Sequence, residues 1–285
     1  MAELPELVVY AEVLARHLVG RRIAAVDVAQ PRVLRRTTAA DLQAGLPGRA
    51  IAGVVRRGKT LAVFLVGGVG GAASAPPDSR AGPRLDVHLM LGGEPYLFGP
   101  GEATTVPQPT LALRLDDGGA LVFSDRHFDL LRPGEAKMWV GLDQKERAGV
   151  DPTGAGFTPE AFAALCRKQR LWPIKAVLCD QRLVAGLGNA YADEILWEAR
   201  VRPRRAASLM TPDEIARVHA ATGQVIAAAT DALRAIVGDR LRGEPKRDFL
   251  RVHHRARRAC PRCGTKIAAE TLRDRITNWC PMCQG

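Results

Sequence analysis

The stretch IKAVLCDQRLVAGLGNAYADEILWEARVRP, residues 174–203, contains two helical segments interrupted by the turn Gly186, Leu187, Gly188 and Asn189. Glycine permits a tight turn, and the amides at the start of the next helix have no partner within the helix. These amides and the positive end of the helix dipole suit a phosphate oxygen, and the Asn189 side chain could add a donor. The alternative is a corner between two helices, which a GLG turn by itself fits more often.

The flanking sequence predicts an α+β fold. A helical pattern covers residues 5–18, and short alternating segments then predict an antiparallel β-sandwich. These six predicted strands cover residues 23–28, 51–56, 61–65, 85–89, 111–115 and 121–123. Helical periodicity begins after Thr158. Thr158 and Thr211 are both predicted to be N-caps of helices. We therefore predict a domain over 1–132, a linker over 133–157, a helical domain over 158–258 and a terminal module over 259–285.

Four cysteines identify the terminal module. Cys260, Cys263, Cys280 and Cys283 form two C-x2-C pairs separated by 16 residues, a spacing typical of a four-thiolate zinc site. The alternatives are a chance cluster or two disulfides. Four thiolates complete a tetrahedron, so we predict one structural zinc ion. Cys166 and Cys179 lie in apolar stretches and are predicted to be buried.

Composition points to a polyanionic partner. The 285 residues include 41 Lys and Arg against 30 Asp and Glu, a formal charge of +11, and 47% are hydrophobic. A chain of this composition can bury a core, and its charge favours a polyanion, the alternative being an enzyme that is merely basic. The N-terminus carries Glu3 and Glu6 without a basic segment before an apolar run, and no apolar run approaches about 18 residues. We expect a cytoplasmic protein.

Several motifs together resemble one family. In order, they are AELPEL (2–7), RRGK (56–59), HLMLGG (88–93), RHF (126–128), the stretch 174–203, CPRCG (260–264) and RITNWCPMCQ (275–284). The order and content are similar to the formamidopyrimidine-DNA glycosylase and endonuclease VIII family. The resemblance implies a helix-two-turn-helix domain, a zinc finger and damaged double-stranded DNA as partner. It also implies a nucleoid-associated monomer that uses no small-molecule cofactor and does not bind a membrane.

The resemblance implies a nucleophile at the N-terminus. The family uses the amine of a proline exposed by removal of Met1, and Ala2 stands at that position here. An α-amino group has an ordinary pKa of about 7.7–8.0, so part of it is neutral near neutral pH. Glu3 is implied as the acid/base at the sugar, Glu6 as a supporting carboxylate and Lys59 as a catalytic and DNA-binding cation. The alternative for Glu3 and Glu6 is that they are acids favoured by the start of a helix.

The resemblance also implies residues that hold DNA. Besides Lys59 they are Leu91, Arg126, Phe128, Lys175, Asn189 and Arg275. Leu91, Arg126 and Phe128 would fill the place of the everted nucleotide, although Leu91 and Phe128 could equally be core residues at strand ends. Arg275 would clamp phosphates from the finger. The link 238–249 is shorter than the loop with which relatives cap 8-oxoguanine, so we do not transfer that specificity.

The predicted function is a DNA glycosylase of base excision repair that also nicks the abasic strand by β/δ-elimination through a Schiff base at Ala2. A damage-binding protein or monofunctional glycosylase that has lost the lyase nucleophile is the first alternative. An RNA-binding or ribosome-associated protein is the second, because basic helix-turn elements and zinc ribbons also occur there.

Overall fold

The computed structural model describes residues 1–67, 83–127, 135–144 and 148–285. The chain divides into two compact units. The first unit comprises Met1–Ala2, Glu6–Glu146 and Leu233–Lys246, and the second comprises Glu3–Pro5, Arg147–Ala232 and Arg247–Gly285. One boundary falls inside the predicted linker 133–157, and the stretch Leu233–Lys246, predicted for the helical domain, belongs to the first unit.

The N-terminal helix is amphipathic, as predicted. Helix α1 spans Leu4–Leu18, one residue longer than the sequence pattern indicates. Leu7, Ala11, Leu14 and Leu18 recur at helical spacing and are all buried. Their burial fixes the direction in which the chain leaves its first residues.

Two four-stranded antiparallel sheets form most of the first unit. In chain order the strands are β1 (Ile23–Val28), β2 (Ala50–Arg57), β3 (Thr60–Val66), β4 (Arg84–His88), β5 (Gly93–Phe98), β6 (Pro109–Leu115), β7 (Ala120–Asp125) and β8 (Trp139–Leu142), and a short helix α2 (Ala39–Gly45) precedes β2. One sheet has the order β1-β6-β7-β5 and the other β2-β3-β4-β8. This architecture confirms the predicted antiparallel fold class, and all six predicted strands are present.

Strands β5 and β8 are the two that the sequence pattern misses. Strand β5 contains Gly93 and Pro95, both disfavoured in strands, and it ends its sheet, where proline is tolerated. Strand β8 has four residues and lies inside the predicted linker, yet it pairs with β4 from Leu85 to His88. Both strands depend on partners that are distant in sequence, which a local pattern does not contain.

A segment of the short basic link pairs with the free edge of β5. Leu97 donates its amide to the carbonyl of Leu241 over 3.0 Å, and Gly243 donates to the carbonyl of Pro95 over 3.1 Å. Gly243 has a φ of +90°, and a Cβ there would lie 2.8 Å from the Tyr96 hydroxyl. Glycine is therefore required at 243, and the residues that follow it are held in place.

The second unit contains helices and one hairpin. Its elements are α3 (Pro159–Lys168), α4 (Ile174–Cys179), α5 (Asn189–Glu198), the first part of α6 (Pro212–Val237), β9 (Ala268–Leu272) and β10 (Arg275–Trp279). Thr158 accepts a hydrogen bond from the amide of Ala161, and Thr211 accepts one from the amide of Glu214. Both residues therefore cap the helices that the sequence predicts them to cap.

The finger and the helices share one apolar cluster. Trp197 on α5 packs with Val252, Cys260, Ile267 and Cys280. The hairpin residues are thus anchored to the helical part of the unit. Within the described ranges, every helix is too short or too polar to traverse a lipid bilayer.

Candidate functional site

The first amine of the chain lies against an acidic side chain. In the first unit, Met1 N donates a hydrogen bond to Glu244 Oε1 over 2.7 Å, and the Glu244 side chain is only 13% exposed. Glu244 follows Gly243, so the pairing of the link with β5 determines its position. Sequence reasoning missed this residue because its partner lies 243 positions away. The one hint in the local sequence is that Glu244 is an acidic residue within the basic segment 238–249.

Arg126 contacts the same Glu244 carboxylate as the amine of Met1. Its guanidinium forms an ion pair with Glu244, and its Nη1 lies 3.4 Å from Glu94 Oε1. Glu94 in turn accepts a hydrogen bond from the Tyr96 hydroxyl over 2.8 Å. Burial and this hydrogen bond raise the pKa of Tyr96 to about 12, so the hydroxyl stays protonated. Arg126 is thus held by two largely buried carboxylates.

Leu91 lies beside Arg126, at the turn between β4 and β5. The Leu91 carbonyl accepts a hydrogen bond from Arg126 Nη2 over 3.4 Å, and the Leu91 side chain is 46% exposed. This exposure is evidence against the alternative that Leu91 is a core residue. The structure therefore brings together two of the three predicted gap-filling residues, whereas Phe128 lies outside the described residues.

Lys59 lies at the turn between β2 and β3 and is largely buried. On the neighbouring strand, His88 Nδ1 accepts a hydrogen bond from the amide of Met90 over 3.0 Å, and its ring stacks on Trp139. Burial, together with the charges of Lys59 and Arg35, lowers the pKa of His88 to about 4. His88 is neutral at pH 7 and adds no positive charge next to Lys59. This role of His88 was not predicted from the sequence.

Glu3 is placed by the glycine-rich turn of the second unit. Its carboxylate accepts hydrogen bonds from the amides of Ala190 (3.0 Å) and Tyr191 (3.3 Å), at the start of α5. Gly188, the N-cap, has no side chain to do this. The two amides that a bound phosphate would use are therefore taken by the chain's own carboxylate, which the helix dipole also favours. Glu6, in the first turn of α1, is fully buried.

Lys175 belongs to a buried polar network. Its Nζ lies 2.6 Å from Asp193 Oδ1 and donates a hydrogen bond to Thr277 Oγ1 over 2.8 Å. The second Asp193 oxygen lies 2.8 Å from His253 Nδ1 and accepts from the amide of Asn278. Lys175 is 2% exposed and Asp193 is fully buried. The network ties α4 and α5 to β10, so the structure places Lys175 beneath the surface.

Asn189 contacts the same strand as Lys175. Asn189 Nδ2 donates to the carbonyl of Ile276 over 2.9 Å, and Lys175 Nζ donates to that carbonyl over 3.3 Å. The side chain of Ile276 is 58% exposed. Two predicted DNA-binding residues thus converge on the finger backbone.

Arg275 begins β10 and points toward solvent. Its side chain is 42% exposed, and its Nε lies 3.8 Å from the exposed carboxylate of Asp274. Arg275 also lines a cavity of about 310 Å³ together with Lys175, Arg182 and Arg273. The Arg273 guanidinium lies 4.1 Å above the Trp172 ring, which fixes the hairpin turn. Asp180 and Asp274 also line this cavity, so four basic side chains stand against two carboxylates and the concave surface keeps an excess of positive charge.

The four predicted zinc ligands are clustered. All four Sγ atoms of Cys260, Cys263, Cys280 and Cys283 lie within 4.8 Å of one another. The Sγ separations are 3.9 Å for Cys260 and Cys283 and 3.5 Å for Cys263 and Cys280. A tetrahedral ion with Zn–S bonds of about 2.3 Å needs sulfur separations of roughly 3.8 Å, so the residues fit zinc.

Glu194 holds the chain that leads into the finger. Its carboxylate accepts hydrogen bonds from the amides of Arg251, Val252 and His253 at 2.8–2.9 Å. Burial raises the pKa of Glu194, although these three amides act in the opposite direction. On the sequence, an acid in helix α5 looks like a solvated residue, so this structural role was also missed.

Two protein-family models match the chain. The formamidopyrimidine-DNA glycosylase N-terminal domain matches residues 1–128, and the formamidopyrimidine-DNA glycosylase H2TH domain matches residues 148–239. The formamidopyrimidine-DNA glycosylase of Symbiobacterium thermophilum is 36% identical over 293 aligned residues, covering 100% of this chain and 89% of that protein.

Solved structures give the same likeness. The Lactococcus lactis enzyme in complex with DNA containing an abasic site has a TM-score of 0.81 and 27% identity. The same enzyme bound to DNA containing N7-benzyl-Fapy-dG has a TM-score of 0.82 and 28% identity. In both comparisons the match covers 99% of this chain and 99% of the other.

Proposed function

This chain belongs to the formamidopyrimidine-DNA glycosylase family and is a DNA glycosylase of base excision repair, and we propose that the amine of Ala2 is its nucleophile. The observation that carries the proposal is the placement of Glu3. This carboxylate follows Ala2 directly in the chain, is 1% exposed and is fixed by two amides of α5. A fixed acid next to an N-terminal amine supplies the nucleophile and proton carrier that the reaction requires.

The proposed chemistry proceeds in balanced steps. The neutral Ala2 amine attacks C1′ of the damaged nucleotide, the N-glycosidic bond breaks, and the base leaves with a proton. Glu3 protonates the ring oxygen, the ring opens, and the C1′–N bond becomes an iminium. Loss of the C2′ proton to the Glu3 carboxylate then expels the 3′ phosphate, and loss of the C4′ proton expels the 5′ phosphate. Water adds to C1′ of the iminium, the C1′–N bond breaks, and the amine is released. The hydrogen bonds from the two α5 amides hold in place the carboxylate that is proposed to make these transfers.

Glu6 and Lys59 are proposed to support this chemistry. Both side chains are buried, which holds their charged groups in place. Glu6 would act as an accessory carboxylate in the first turn of α1. Lys59 would contact the DNA backbone at the lesion, and neutral His88 adds no charge beside it.

Recognition of the DNA is assigned to several groups. Leu91 and Phe128 would replace the stacking of the everted nucleotide, while Arg126 would face the base left behind. Arg275 would clamp phosphates. Asn189 and Lys175 would assist by holding the finger strand, since both donate to its backbone. The work of the protein on DNA supports a location at the nucleoid.

Zinc, bound by the four cysteines, would act structurally by closing the finger that carries Arg275. The proposed division of labour follows the predicted domains. Residues 1–132 supply the chemistry, residues 158–258 bind DNA through the helix-two-turn-helix, and residues 259–285 form the finger. The link 238–249 pairs with the edge of β5, and the 8-oxoguanine specificity of relatives is not transferred to this chain.

Borohydride trapping tests the nucleophile. Mature protein, whose first residue is checked by intact mass, is incubated with a duplex that contains one abasic site and then reduced. A covalent adduct that maps to Ala2 is the expected result. Tight binding of the same duplex without an adduct would reject the Schiff base and favour a monofunctional glycosylase or a damage-binding protein. Protein that retains Met1 is the matched control, because one extra residue moves the amine by about 3.8 Å of chain.

A further inference from the structure

We propose that Ile276 is a DNA-contacting residue whose side chain packs against the deoxyribose next to the phosphates held by Arg275. The inference rests on the proposed DNA-clamping role of the finger and adds an apolar contact to it. Nothing in the zinc site or in the catalytic chemistry requires a large apolar side chain at this position.

Ile276 is exposed where the residues after it are buried. Its side chain is 58% exposed, whereas Thr277 and Asn278, the next two residues of β10, are 0% and 1% exposed. The apolar residue that ends β9, Leu272, is also buried. The hairpin thus has apolar residues available for its interior and nevertheless presents Ile276 to the outside.

The backbone of Ile276 is fixed from two directions. Its carbonyl accepts hydrogen bonds from Asn189 Nδ2 and Lys175 Nζ, and it pairs with Thr271 across the hairpin. Lys175 is itself held by buried Asp193. A side chain on a fixed backbone loses little conformational freedom when it binds, so this exposed residue is preorganised for a contact.

The charges around Ile276 identify the occupant. Arg275 precedes it, and the adjacent cavity is lined by Arg182, Arg273 and Arg275 as well as by the carboxylates of Asp180 and Asp274, which leaves an excess of positive charge. Arginine binds phosphate in two-point contacts. The sugar between two phosphates is the apolar part of the nucleic-acid backbone. A surface that alternates arginine with an exposed aliphatic side chain fits that alternation, and apolar residues commonly accompany arginine in minor-groove contacts.

The test compares Ile276→Thr, Ile276→Val and Leu209→Thr in the full zinc-loaded chain. Thr and Val both keep the branched shape that suits a strand, so the hairpin is retained. Leu209 is the matched control, since it is 59% exposed in the same unit but belongs to the turn Ala207–Leu209 and not to the finger hairpin. Fluorescence anisotropy measures Kd for a labelled duplex with one tetrahydrofuran abasic analogue, at several salt concentrations, after zinc content has been checked.

We expect Ile276→Thr to weaken binding about tenfold, the effect of losing roughly two methylene equivalents, and Ile276→Val, which loses one, to weaken it about fourfold. Leu209→Thr should stay within about twofold of wild type. The salt dependence of Ile276→Thr stays that of the wild type, whereas Arg275→Ala lowers the slope of log Kd by about one. Equal affinities for Ile276→Thr and wild type would overturn the proposal while leaving the glycosylase function intact. If the wild type bound the abasic duplex no more tightly than an undamaged duplex of the same sequence, both this proposal and the glycosylase function would be overturned.

Discussion

Replacing Asp193 with Asn should destabilise the second unit by about 3–5 kcal/mol. Asp193 lies 2.6 Å from Lys175 Nζ, and the two side chains are 0% and 2% exposed. Asn keeps the shape and one acceptor but leaves the Lys175 ammonium without a counter-charge in a buried position. Removing one member of a buried ion pair costs about this amount, because the remaining charge keeps its desolvation penalty.

Asp180 provides the matched control. Asp180 Oδ2 lies 2.7 Å from Arg182 Nη2, almost the same separation, but the Arg182 side chain is 76% exposed. A pair in solvent is screened and contributes less than about 1 kcal/mol, so Asp180→Asn should change the free energy of unfolding by less than this. The two pairs are alike in charge, separation and substitution and differ in burial. Because Asp193 also contacts His253 and Asn278, the double-mutant cycle with Lys175 is what isolates the ion pair.

Urea unfolding followed by tryptophan fluorescence measures the effect. Trp172, Trp197 and Trp279 all lie in the second unit, and Trp139 is the fourth tryptophan of the chain. In a Trp139→Phe background the fluorescence therefore reports the second unit alone. Lys175→Met and the double variant complete a double-mutant cycle. The double variant should lose at least about 2 kcal/mol less than the sum of the two single variants.

Two results would refute this reasoning. The first is a loss below about 1 kcal/mol for Asp193→Asn, equal to that of Asp180→Asn, which would mean that water reaches Lys175. The second is strict additivity of the Lys175 and Asp193 substitutions, because residues without mutual interaction add. In either case the finger strand would be held by other contacts.

Glu3→Gln should lower the rate of base excision at least about 100-fold while leaving Kd for abasic duplex unchanged; unchanged single-turnover excision would remove Glu3 from proton transfer. The pKa of His88 is lowered from 6.5 to about 4, so the unfolded chain binds a proton in this range and the folded chain does not. Stability should therefore fall by up to about 3 kcal/mol between pH 6.5 and 4, and His88→Asn, compared by urea unfolding at each pH, should lose that dependence. Cys280→Ser should release zinc and weaken DNA binding, with Cys166→Ser as control; a metal-free protein of normal affinity would contradict the structural role.

Local patterns predicted the parts of this fold that local interactions determine. Apolar residues at helical spacing placed α1 within one residue, and the two C-x2-C pairs identified thiolates that lie within 4.8 Å of one another. Thr158 and Thr211 marked helix starts because a cap bonds to amides three residues away. Each of these signals comes from residues that are near one another in the sequence.

Long-range pairing accounts for what the sequence did not predict. Glu244 contacts the first amine across 243 positions, and β8 exists because β4 offers it an edge. Lys175 and Asp193 are charged residues in helices, where the pattern indicates a solvated face, yet they are buried against each other. The identity of such partners depends on the folded topology, so no local periodicity carries it.

The two arginines that are proposed to bind DNA differ in the ion pairs that they must give up to bind it. Arg126 is paired with Glu94 and Glu244, whose side chains are 12% and 13% exposed. If Arg126 left these carboxylates for a base, the free energy gained would be only the difference between the new contact and the old one. Arg275 faces an Asp274 side chain that is 86% exposed and 3.8 Å away, a screened pair that yields readily to phosphate. On its proposed role, Arg275 therefore gives up little and should add affinity for any duplex. A base edge is a neutral acceptor and is weaker than a carboxylate, so Arg126 is expected to keep Glu94 and Glu244 and to face the orphaned base while it is still paired with them.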